Sequence, residues 1–165
     1  MIGSARIKVC GITRAADAAT ALAQGADFLG VNCWPGSARC VPAAARAQLL
    51  REIPAAKRVA VTVNPSVAEA TALLAEGFAI VQAHFDPTQT ECDPKALSAA
   101  VGPARLWLAP KLADGAEWPA DLIPLAVGSS TTPMPRMPSG APARPPTGPV
   151  SPNCSARFRR PSASP

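Results

Sequence analysis

The sequence predicts an α/β fold built on a parallel sheet, on three observations. Short apolar runs alternate with helix-patterned stretches from Arg6 to Ala126. Runs such as RVAVTV, apolar at four of six positions including three in succession, fit strands covered on both faces. The helix-patterned stretches also carry end signals in the right places: Ser66 with Glu69 three residues on, and Gly25 and Gly77 directly after helical runs.

Taken in order, residues 6–10 are the first strand. The first helix runs from Arg14 to Gln24, with alanines and Leu22 at helical spacing. Residues 27–32 (DFLGVN) are the second strand. The second helix spans Pro42 to Glu52, with Pro42 in the first turn, where its missing N–H costs nothing. The third strand is 58–63, and a helix capped by Ser66 follows to Glu76. The fourth strand is 79–84 (AIVQAH), a weaker helix covers 94–101, and the fifth strand is 106–109, with a short helical turn near Asp121. Five such units suffice for an open doubly wound sheet, whereas a closed barrel needs eight strands and typically about 250 residues. Periodicity alone leaves both open.

The 165 residues would ordinarily make one domain, but the formal charge of +5 divides unevenly. Residues 127–165 hold five arginines, no lysine, no acidic residue and ten of the 20 prolines, which leaves residues 1–126 neutral. The expected organisation is an ordered part over 1–126 and a disordered or non-native Pro/Ser/Arg-rich tail over 127–165. Such a tail is either a basic arm for nucleic acid or membrane, or a segment that cannot bury enough apolar surface to fold. It has a single aromatic residue, Phe158, which weighs against single-strand binding by stacking. Nothing at the N-terminus resembles a signal peptide, and no apolar run approaches membrane-spanning length. The five cysteines are odd in number and never spaced as CxxC, and Cys33 and Cys40 have no ligand spacing. Reduced thiols in a cytoplasmic protein are expected, with no disulfide framework and no metal site.

The most informative stretch is Arg6-Ile7-Lys8-Val9-Cys10-Gly11-Ile12-Thr13: a strand ending on a thiol, a glycine turn, then a helix. The carboxyl end of a strand is where an α/β barrel places its chemistry. IKVCGIT, GADFLGVNCWPGSAR, VAVTVN and VQAH follow one another in an order and spacing that resembles the phosphoribosylanthranilate isomerase family of tryptophan biosynthesis, over residues 6 to about 126. Two positions depart from the family pattern: Cys33-Trp34 stands where an aromatic pair is usual, and Phe85 where glycine follows the histidine. The resemblance implies a partial (βα)8 TIM barrel of about five βα units. It also implies an isomerase that performs an Amadori rearrangement on a small phosphorylated aminosugar, with no metal and no redox cofactor. The proton at C2 is removed by a base, and an acid serves the ring oxygen.

The resemblance implies roles for individual residues, and each has a plainer alternative. Cys10 matches the general base; by itself it reads as a small buried apolar residue. Arg39 matches the arginine that grips the anthranilate carboxylate, for which a guanidinium fork is suited; by itself it is a solvated loop arginine. His84, the single histidine, matches an active-site position, and is equally a satisfied barrel residue. Gln82, two residues earlier, faces the same side, for packing or substrate contact. Lys8 shares the face of Cys10 only if the strand is regular, and no role is assigned to it or to Asn64.

The family's general acid, an aspartate ending strand six, and its glycine-rich phosphate loops cannot be read after Ala126. Shifted by one base, the codons from about Val127 permit the string D-T-Y-A-P-D-A-F-G-G-T-G-K-T-A-D-W. It resembles the family's acid-to-glycine segment. The expectation is a frameshift near Ala126–Val127 and a chain, as written, with little or no isomerase activity. Two alternatives stand beside this: a non-catalytic half-barrel whose basic tail binds nucleic acid, and another phosphate-binding barrel enzyme. Oligomeric state is left open.

Overall fold

A computed structural model of the chain describes residues 6–126. The expected tail and frameshift, at 127–165, lie outside the described residues. The elements alternate as expected: β1 (Lys8–Cys10), α1 (Ala15–Ala23), β2 (Phe28–Asn32), α2 (Ala43–Arg51), β3 (Arg58–Val63), α3 (Val67–Ala75), β4 (Ile80–Phe85), α4 (Pro94–Val101) and β5 (Leu106–Pro110). Short 3-10 turns precede β3 and β5, and a third spans Ala120–Leu125.

Element ends move by one or two residues from the sequence expectation. β1 is shorter, and β4 runs on through Phe85. Pro42 does not enter α2. It sits just before the helix in an extended conformation (φ −59°, ψ 149°), and its carbonyl accepts from Ala45 and Arg46. The Ser66–Glu69 capping box of α3 forms in full, and each side chain satisfies the other's backbone N–H. Asp93 caps α4 by its side chain alone, accepting from the N–H groups of Lys95 and Ala96.

The five strands are parallel and pair in the order β1-β2-β3-β4-β5, each with its sequence neighbour. That order decides between the two architectures left open. A doubly wound sheet reverses strand order at a switch point, and this sheet never reverses. Its outer face packs under the helices: Leu29, Val31, Ala60, Val81, Ala83, Leu106 and Leu108 join Ala18, Leu49, Leu50, Ala70, Leu73 and Leu97 in one core. The inner face carries a second, smaller cluster of Val59, Val61 and Ile80 with Phe28 and Trp107. Phe28 on β2 meets Trp107 on β5 edge to face at 4.9 Å, although two strands lie between them. A flat sheet would hold them well apart, so the sheet is curled into about half of a barrel, with a lumen on the side away from the helices.

Candidate active site

β1 ends at Cys10, in register with Gly30 of β2, and the chain then turns through Gly11, whose N–H and that of Ile12 both donate to Gly30 O (2.9 and 3.0 Å). Cys10 is exposed at this end of the sheet. Gly11 has φ +84°, a left-handed conformation that favours glycine, and it also lacks the side chain that would collide with its neighbour. A Cβ there would sit 2.9 Å from Arg39 Nη1 and 3.0 Å from Arg39 Cδ. The arginine therefore lies flat on the turn next to Cys10.

Arg39 reaches that place because its loop folds back on the strand it left. Asn32 Oδ1 accepts from Trp34 N–H (2.9 Å), and Ser37 Oγ from Arg39 N–H (3.1 Å). Cys40 then bridges in parallel to Asn32, and Val41 N–H donates to Asn32 O (2.9 Å). The loop after β2 thus leaves and rejoins the end of that strand within eight residues, and Arg39 sits just before the return.

The remaining residues come from across the lumen. Lys8, on the same face of β1 as Cys10, donates from Nζ to Gln82 Oε1 of β4, and its Nζ lies 5.9 Å from the centre of the Trp107 ring on β5. Gln82 is 2% exposed and would be costly to bury without that partner. His84 is two residues further along β4, in register with Val63 and Ala109. Burial, and then the Lys8 charge, pull its pKa below 6.5 and leave a neutral imidazole at neutral pH. A cavity of about 210 Å³ opens at the ends of β3, β4 and β5, lined by Asn64, His84, Asp86, Gln89 and Lys111 among others.

Residues 7–104 match the family model for N-(5'-phosphoribosyl)anthranilate (PRA) isomerase. The chain belongs to the PRA isomerase family. It is 43% identical over 103 residues to N-(5'-phosphoribosyl)anthranilate isomerase of Herminiimonas arsenicoxydans, an alignment that covers 61% of this chain and 44% of that protein. The Bordetella petrii enzyme is 43% identical over 89 residues, 53% of this chain and 40% of that one. Among solved structures, the phosphoribosyl anthranilate isomerase of Thermus thermophilus superposes with a TM-score of 0.55 at 30% identity, over 66% of this chain and 52% of that one. A phosphoribosyl anthranilate isomerase in complex with reduced 1-(o-carboxyphenylamino)-1-deoxyribulose 5-phosphate superposes with a TM-score of 0.53 at 25% identity, over 65% of this chain and 53% of that one. The chain spans about half the length of these structures, and less than half of the curated relatives.

Within this PRA isomerase half-barrel the structure brings Cys10 and Arg39 to one rim, and lines the lumen below with Gln82 and His84. Lys8, given no role from the sequence, does share the face of Cys10, since β1 is regular and pairs with β2. The available signal was a cation two residues before Cys10 in a strand otherwise apolar, which places both side chains on one face. Asn64, given no chemistry, is held at φ +46° by the chain reversal after β3, where its N–H donates to His84 O (2.8 Å) and its Nδ2 to Glu91 Oε2 (2.5 Å).

A second polar cluster lies on the other side of the β2 loop, in a cavity of about 210 Å³ between α2 and α3. There Arg46 makes a two-pronged ion pair with Glu76 (both 2.6 Å) and donates from Nη1 to Val41 O (3.1 Å). Cys33 lines the same cavity, and burial pushes its thiol up to about 12, so it stays protonated at neutral pH. Cys10 and Cys33, each at or just beyond the end of a strand, thus stand in opposite settings: one exposed on the rim, the other enclosed behind a loop.

The depressed pKa of His84 has a consequence for stability. Its folded value lies below the unfolded 6.5, so the contribution is fully present above pH 6.5 and is lost as pH falls through the folded value. Urea midpoints should be level from pH 7 to 8 with respect to this group and drop as pH goes from 6.5 towards 5. A His84→Gln variant should show a shallower drop. Asp86 does not blur this window, because Thr88 hydrogen bonds hold its carboxyl below 3.8. An identical acid limb in the two proteins would contradict the assignment.

Among the described residues no helix is long and apolar enough to cross a membrane.

Proposed function

We propose that residues 6–126 are the first part of a PRA isomerase barrel, which converts N-(5'-phosphoribosyl)anthranilate to 1-(o-carboxyphenylamino)-1-deoxyribulose 5-phosphate in tryptophan biosynthesis. The observation that carries this reading is Arg39 lying on Gly11 beside Cys10 at the strand-end rim. The pair offers a carboxylate grip within reach of a proton-abstracting sulfur. In the reaction the Cys10 thiolate takes the C2 proton of the ring-opened substrate. Arg39 holds the anthranilate carboxylate through its guanidinium fork, and Gln82 and His84 line the sugar. C1 is reduced as C2 is oxidised within one molecule, so no external redox partner is called for.

The second part of the proposal concerns the rest of the chain. Residues 127–165 contain no acidic residue, so they offer no carboxylic acid to protonate the ring oxygen. We infer that 1–126 is the catalytic-fold segment, that 127–165 is not part of it, and that the 165-residue chain turns substrate over at or near the background rate.

Two measurements test the reading. Turnover of phosphoribosylanthranilate by the purified chain should be indistinguishable from buffer; clear turnover defeats the second part. Millimolar reduced carboxyphenylamino-deoxyribulose phosphate should slow alkylation of Cys10 by iodoacetamide, and Arg39→Met should lose at least tenfold of that protection, as expected for a lost charge-assisted pair. Absence of protection in the parent chain would sink the site assignment.

A further inference from the structure

The reaction as outlined leaves Lys8 without a role, although it projects into the lumen beside the reacting sulfur. A Cβ on Gly30 would lie 2.9 Å from Lys8 Cε and 3.0 Å from Cys10 Sγ. The end of the lysine stem and the sulfur therefore crowd the same point, the one left empty by the missing side chain on β2. The ammonium itself is held from the far wall, by Gln82 Oε1 and by the face of Trp107.

The charges around Lys8 make the sulfur its natural partner. Its neighbours are Cys10 on β1, Gly30 on β2, Gln82 and His84 on β4 and Trp107 on β5, with Arg39 at the rim above. Among the described residues no carboxylate pairs with it. Beside the sulfur, the half-buried ammonium has a neutral amide and a ring as partners, neither of which carries a charge, and an ionised sulfur supplies the missing one. Burial lowers the pKa of Lys8, while the charge of Cys10 and a hydrogen bond to it act in the opposite direction.

We propose that Lys8 is a positioning residue for Cys10: tethered by Gln82 and Trp107 across the lumen, its ammonium stabilises the thiolate and keeps it aimed at the rim. The inference rests on the reading of Cys10 as the base. In the step it serves, the sulfur gains the C2 proton. The electron pair of that C–H bond moves into the C1–C2 bond, and the C1–N π pair moves onto nitrogen. Lys8 keeps its proton throughout and exchanges no electrons.

The test needs no turnover. Alkylation of Cys10 by iodoacetamide is followed in the 165-residue chain by mass spectrometry at that residue, across pH. Lys8→Met should slow it about tenfold at pH 7.5, because the thiolate is the attacking form. Lys8→Arg should recover most of the rate. Gln82→Glu, nearly isosteric, should also slow it, because the new carboxylate draws the ammonium away from the sulfur. Cys33 and Cys92 report the fold, since burial raises both thiols and they should stay slow in every variant. If Lys8→Met exposes them, Gln82→Glu decides. Parental Cys10 kinetics in Lys8→Met with Cys33 and Cys92 still protected, or in Gln82→Glu where Lys8→Met fails to fold, would overturn the proposal. Slowed alkylation without protection by the product analogue would keep the role of Lys8 and remove the isomerase reading. Protection with unchanged alkylation in Lys8→Met would do the reverse.

Discussion

Glu76→Ala is expected to destabilise the half-barrel by about 3 kcal/mol, the low end of the cost of breaking a buried ion pair by removing one partner. Arg46 is 9% exposed and makes both of its charged hydrogen bonds to Glu76. Removing the carboxylate leaves the guanidinium buried with Val41 O as its remaining hydrogen-bond partner. The reciprocal change should be milder. The Glu76 side chain is about one third exposed and can return to water, and methionine fills the space of the arginine stem. Arg46→Met is therefore expected to cost within about 1 kcal/mol, since a buried pair is often replaceable by an apolar residue of similar volume. Urea unfolding of both variants and of the double variant measures the asymmetry. A loss under about 1 kcal/mol in Glu76→Ala as well would show that the pair is effectively solvated.

Gly30→Ala is expected to cost about 2 kcal/mol, the usual scale for an added carbon in a filled space, and to move the reactive sulfur. The new Cβ would meet Lys8 Cε at 2.9 Å, Cys10 Sγ at 3.0 Å and Cys10 Cα at 3.3 Å. The lysine end can swing aside, but the Cys10 Cα belongs to a paired strand and cannot. The cysteine side chain must therefore rotate off the rim, or β1 must shift against β2. Either outcome should lower both the alkylation rate of Cys10 and the protection given by the product analogue. It should act more strongly on these than Glu76→Ala does, although Glu76→Ala is the larger loss of stability. Unchanged Cys10 kinetics in a folded Gly30→Ala protein would show that the gap opposite the thiol is not needed.

The two variants separate what holds the fold from what arranges the site. The Arg46–Glu76 clamp joins α2 to the end of α3 on the outer side of the sheet, behind the β2 loop. Gly30 acts on the inner side, which strand side chains line among the described residues. A mutation on one side changes unfolding; a mutation on the other changes the sulfur.

Much of this was legible from residue pattern. RVAVTV and the Ser66–Glu69 box announce a buried strand and a capped helix through rules that span only a few residues. The IKVCGIT and GSAR stretches pointed to Cys10 and Arg39 by their resemblance to a family. Other features were not legible, because they arise between residues far apart in sequence. Lys8 and Gln82 are 74 positions apart, and no local signal pairs them. Pro42 stands before α2 instead of inside it, directly after Val41, whose N–H returns the chain to Asn32 O.

The sequence by itself determined the alternation of strand and helix, the neutral charge of residues 1–126 and the thiol at the end of the first strand. Each follows from composition or from spacing of a few residues, where period-2 and period-3.6 sterics act alone. Only the tertiary structure decided that the sheet curls, that Lys8 of β1 meets Gln82 and Trp107 of β4 and β5, and that Arg39 comes to rest on Gly11. Curl accumulates from strand twist and from packing on both faces of five strands at once, and no single stretch of chain encodes it.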